Sequence, residues 1–92
     1  DIMHDKFLIK GIYEELIKIC DKYDIIRLDR VVMERSRNSH IDEEEFIEFL
    51  KEQNDSIMGE WTTADIRKED IEENTAIIYV LEGKRNDAVI EN

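Results

Sequence analysis

Between residues 5 and 23 the apolar side chains Leu8, Ile12, Leu16, Ile19, Cys20 and Tyr23 recur at spacings of four, four, three, one and three. Those spacings trace one face of an α-helix; a strand, whose side chains alternate, cannot gather them on one side. Phe7, Ile9 and Ile17 widen the face, while Lys10, Glu14, Glu15, Lys18 and Lys22 fall elsewhere. The pattern predicts a first helix over about 5–23, and the rest of the chain must supply a surface for its apolar side. Gly11 inside this helix costs about 1 kcal/mol relative to Ala. It is expected to mark a close packing contact.

The period then changes. Asp24 leads into IIRLDRVVM at 25–33, where Ile26 and Leu28 alternate with Arg27 and Asp29 as in a half-buried strand. The alternation drifts near Val31 and Val32, which implies that both faces are partly covered there. ERSRNSHI, 34–41, is polar and reads as a loop. A second helix starts after it: Asp42 at the N-cap and Glu45 three residues on have capping-box spacing, and Ile41 with Phe46 can close a hydrophobic staple. Glu43, Glu44 and Glu45 suit the positive end of its dipole. This helix is predicted to run to about Gln53 and to bury Phe46, Phe49 and Leu50.

NDSIMGE, 54–60, reads as a connection with Ile57 and Met58 beneath it. WTTADIRKEDIE and TAIIYVLEG, joined by a short EEN turn, read as two strands of a hairpin. KRNDAVIEN, 84–92, is expected to be a tail. The resulting order, α-β-α-β-β, predicts an α+β fold: a two-layer sandwich of two helices on a three-stranded sheet. The 92 residues suit one domain with one modest core, and no internal repeat is visible.

Charge narrows the partners. The 24 acids against 13 bases leave a formal net charge of −11. Such a field repels phosphate backbones and anionic lipid and favours cations or basic proteins. Neither nucleic acid nor membrane is therefore an expected partner. The simplest account of the acids remains a solvated surface. The single cysteine, Cys20, lies on the apolar helix face and is expected in the core. With no internal disulfide available and no signal peptide or apolar span in view, a reducing, cytoplasmic location is expected. CxxC, P-loop and GxGxxG motifs are absent. Nucleophile, base and orienting groups form no recognisable constellation either, so no enzyme activity is expected.

Three stretches carry a family resemblance: MHD at 3–5, LDRVVMERSRNSHIDEEEF at 28–46 and GEWTTADIRKED at 59–70. Over roughly residues 3–82 the chain resembles the nickel-binding domain of the HypA/HybF metallochaperones, which deliver nickel to NiFe hydrogenases and in some bacteria to urease. The first stretch is similar to the family's opening Met-His-Glu. The second is similar to its strand, its serine-bearing loop and its Asp-started helix. There are two departures. Asp5 stands where the family has Glu, and the EEN turn joins strands between which the family carries a zinc module with two CxxC pairs. Zinc is therefore not expected here.

The resemblance implies a Ni(II) site made by the amine of Met3, the backbone nitrogen and imidazole of His4, and Asp5, with Asp42 as a further acidic ligand. Amine, amidate and imidazole nitrogens suit Ni(II), which favours nitrogen-rich tetragonal geometry. The amine exists only if translation starts at Met3. Met-His at 3–4 fits the family's start, so Asp1 and Ile2 read as a remnant of expression. Against these roles stand plain structural ones: His4 as an exposed histidine in a first helical turn, and Asp42 as a cap. His40, two residues before Asp42, carries no implied role. The partners implied are a maturation GTPase or a hydrogenase subunit. The alternative is a metal-free acidic interaction module that kept the fold.

Overall fold

A computed structural model describes residues 2–53, 56–73 and 75–86, with side chains from residue 6 onward. The expected order is found: α1 (Ile2–Lys22), β1 (Ile25–Ser36), α2 (Glu43–Gln53), β2 (Thr63–Glu69) and β3 (Ala76–Arg85). Two helices lie on one side of a three-stranded sheet, α1 packed on β1 and against α2, and α2 packed on β2. The α+β two-layer sandwich is thus the fold of the chain.

The hairpin is not. The strand order is β2-β1-β3, with β2 parallel to β1 and β3 antiparallel to it. β2 and β3 lie on opposite edges, and the 70–75 connection crosses from one to the other instead of folding back. A short polar link between two strand-like runs mimics a hairpin turn, yet both runs pair with the longer β1.

β1 also outruns its expected end by three residues, because the charged end of Arg35 finds acceptors inside the fold. Arg35 is 7% exposed, and its Nη1 donates to Ser39 O at 2.6 Å and Ser36 O at 3.1 Å, tying down the turn that follows. Only then does the chain leave the sheet.

The drift in alternation has a definite cause. Between Ile25 and Arg27, and again between Leu28 and Arg30, β1 carries an extra residue relative to β3. Each such bulge shifts the inward phase by one. Ile25, Leu28 and Val31, three apart, therefore all meet the core, while Ile26 is 53% exposed instead of alternating inward with Leu28. β3 has the mirror feature, with Tyr79 as the extra residue between the positions paired to Val32 and Met33. Ile78 and Leu81 turn to the core, and Tyr79 and Val80 both face out.

The core joins Ile9, Ile12, Leu16 and Cys20 of α1 to Leu28, Val31 and Met33 of β1 and Phe46 and Leu50 of α2. Met58 and Ile41 complete it. Phe49 is only half buried and meets Tyr13 edge-on at 5.7 Å between ring centres. Phe7 and Tyr23 do not join as expected: they are 66% and 49% exposed. Tyr23 lies just past the last turn of α1, and Asp24 follows in the left-handed region at φ 58° to end the helix.

The connection after α2 is bolted to the second bulge. Leu28 O accepts from Trp61 Nε1 at 3.1 Å and Thr62 Oγ1 at 2.9 Å, and Thr62 Oγ1 in turn accepts from Gly59 N at 3.1 Å. Leu28 N donates to Ile57 O at 2.7 Å, and the Arg27 guanidinium lies 4.9 Å from the Trp61 ring centre. This clamp sets where β2 begins.

Candidate metal-binding region

The Met3-His4-Asp5 segment lies within α1, which begins at Ile2 rather than near residue 5. The side chains of all three lie outside the described residues. Their backbone position still has a chemical consequence. The first four N–H groups of an α-helix have no intrahelical acceptor, and the His4 amide is one of them. Its nitrogen is committed to no helical bond. The positive end of the helix dipole lies there too, which favours anionic groups such as a carboxylate or a deprotonated amide over a bare cation.

Asp42 is well defined. Its Oδ1 accepts from Glu45 N at 2.8 Å, and its carbonyl accepts from Phe46 N at 3.1 Å. These are the bonds of an N-cap at the first turn of α2. Ile41 and Phe46, 1% and 0% exposed, are both buried as the staple requires. Asp42 is itself exposed, and its cap uses Oδ1. Among the described residues no group of three or more His, Cys, Asp or Glu side chains gathers in metal-ligating geometry. Asp42 therefore belongs to no such group, and His40 is exposed in the loop before it.

Sequence reasoning missed the structural use of the neighbouring acid. Glu43 reaches across to β2 and its Oε2 accepts from Ile66 N at 3.1 Å. The run of three glutamates is thus not only a response to the helix dipole. No periodicity signal could have revealed this bond, since it links residues of different elements.

Two other surfaces could carry function. α2 presents Glu43, Glu44, Glu45, Glu48 and Glu52 to solvent, a strongly acidic flank. On the far side of the sheet, Ile77, Tyr79 and Val80 are 41%, 57% and 40% exposed, around Val32. Val32 is buried but points away from the core that Val31 and Met33 enter. Tyr79 donates its hydroxyl to Glu34 Oε1 at 3.0 Å, and that carboxylate holds the phenol above its ordinary pKa of 10.0. No helix among the described residues is long and apolar enough to cross a membrane. No family model, curated protein or solved structure matches the chain.

Proposed function

We propose that this chain is a HypA-like metallochaperone domain that takes up Ni(II) through Met3, His4 and Asp5 and passes it to a nickel enzyme such as a hydrogenase. The observation that supports the reading is the position of Met-His-Asp at the head of α1, where the His4 amide has no helical acceptor. Imidazole, amidate and amine nitrogens then make a donor set suited to Ni(II). Asp42 supplies a carboxylate oxygen not used by its cap. The 70–75 connection stands where the family carries its zinc module, so nickel is the only metal in the proposal. Such a chaperone works in a reducing, cytoplasmic setting and is not an enzyme.

The test is calorimetric titration of Ni(II) into a tag-free chain beginning at Met3, beside its His4→Ala variant and a chain with residues ahead of Met3. Binding that needs both His4 and the free amine supports the reading. Equal binding by all three, or none above background, sinks it.

The acidic flank of α2 favours a second reading, a metal-free module that docks a basic partner such as a maturation GTPase or a hydrogenase subunit. It requires association that weakens as salt rises and ignores nickel. Charge reversal at Glu48 and Glu52 should then abolish it.

A further inference from the structure

Both edges of the sheet could accept another strand, and the chain treats them differently. On β2 the Glu43 carboxylate occupies the Ile66 N–H. On β3 no strand pairs with the far edge among the described residues. Natural proteins protect such edges with charges, proline or short length. β3 instead runs AIIYVL over 76–81 with none of them, and its one irregularity is the Tyr79 bulge.

β3 is also only partly covered on its two faces. Outward lie Ile77, Tyr79 and Val80. Inward, between β3 and α1, runs a groove of about 580 Å³ lined by Phe7, Leu8, Gly11, Ile12, Ala76 and Ile78 among others. Gly11 was expected to mark a close contact, yet a Cβ built on it meets nothing within 4 Å. Among the described residues its cost in helix stability has no packing return. A second body against that stretch of α1 would supply the missing contact.

The charges flanking β3 identify that body. Glu72 and Glu73 precede the apolar run, and beyond Glu82, which pairs with Arg30 of its own chain, Lys84 and Arg85 follow it. All are exposed, although Glu73 also accepts from Asn38 and Arg85 Nε donates to Tyr23 O. Two copies laid side by side in antiparallel fashion would bring the acidic pair of each to the basic pair of the other, twice, with the apolar runs overlapping between. A parallel arrangement would oppose like charges. The strand is thus complementary to its own two-fold mate, although the chain as a whole carries −11 and is not.

We propose that β3 is the seam of a two-fold dimer of this chain, joining two sheets edge to edge into one of six strands. The two α1 helices approach over the seam near Gly11, and Phe7 is covered there.

The experiment is sedimentation equilibrium of the full chain, with chelator present to exclude metal bridging, from micromolar to sub-millimolar concentration. The expected result is a reversible monomer–dimer equilibrium. Tyr79→Lys should weaken it by about tenfold or more through like charges placed at the seam, while the new ammonium can still meet Glu34 and the far-UV spectrum stays native. Gly11→Ala should also weaken association while leaving the monomer folded. Reversing Glu72 and Glu73 to Lys should weaken it, and adding Lys84→Glu and Arg85→Glu should restore it. Monomer mass throughout the range overturns the proposal, whether or not a foreign strand binds the edge. So does a dimer indifferent to Tyr79→Lys, or a fourfold charge reversal that fails to rescue. His4→Ala leaves the dimer intact, so failure here is distinct from failure of the nickel reading.

Discussion

The carboxylate of Glu43, in the first turn of α2, accepts the backbone N–H of Ile66 on the outer edge of β2 at 3.1 Å. A side chain thus occupies a position where a strand from another chain would bind. Replacing Glu43 with Ala should cost about 1 kcal/mol, the net worth of one hydrogen bond, and should leave β2 open to pairing. Glu43→Gln, which keeps an acceptor, should lose less. Chemical denaturation measures the first effect, and light scattering during refolding the second.

Asp42 combines two roles that substitution can separate. Asp42→Ala removes the bond to Glu45 N and should destabilise the chain by about 1 kcal/mol. Asn caps as well as Asp, so Asp42→Asn should leave stability nearly unchanged while removing the negative charge. If nickel uses Asp42, the Asn variant binds nickel more weakly at wild-type stability. Thermal unfolding and nickel titration of the two variants together decide between ligand and cap.

Two glycines should respond to alanine with opposite sign. A Cβ on Gly83 would run into the Arg27 carbonyl oxygen and approach Leu28 Cα to 3.0 Å, backbone atoms that cannot step aside. Gly83→Ala should therefore cost about 1–3 kcal/mol. A Cβ on Gly11 enters open space, so Gly11→Ala should stabilise the monomer by about 1 kcal/mol through helix propensity. Urea denaturation under dilute, monomeric conditions reads both.

Tyr79 supplies a pH signature. Its hydrogen bond to Glu34, and the carboxylate's charge, favour the neutral phenol and raise its pKa above 10.0. Because the folded value lies above the unfolded one, the folded chain holds a proton that the unfolded chain releases. The associated stability is fully present below pH 10 and is lost as pH climbs through the folded pKa. Phenolate absorbance should show one tyrosine ionising late, and Glu34→Gln should bring it back toward 10.

How far the sequence revealed the fold depended on whether a residue's role was local. The stripe of α1 from Leu8 to Cys20, the Asp42 cap, the Ile41–Phe46 staple and the end of α2 at Gln53 are set by neighbours within a few positions and are found as expected. Phe7 and Tyr23, at the ends of the stripe, are not. Strand pairing is not local. Nothing around the EEN turn shows that β1 will take β2 on one edge and β3 on the other. The bulges at Ile26 and Asp29 left a trace in the drifting alternation, but a trace without a partner strand cannot be assigned. Arg35 was hidden for a related reason: its burial depends on carbonyls of a turn that forms only after β1 is in place. As for the site, Asp42 was legible as a cap from its spacing, whereas the role of Glu43 lay in an element twenty residues away.

The central position of β1 has a consequence for synthesis. Its partner strands lie at Thr63–Glu69 and Ala76–Arg85, so a nascent chain emerging from the ribosome exposes β1 with both edges bare until residue 69 and one bare until residue 85. α1 and α2 emerge in time to cover one face, but no hairpin forms early to hold the strand. Completion of the sheet is therefore a late, nearly all-or-none event, and a chain stalled or cut before β3 should be a ready client for chaperones rather than a partly working domain.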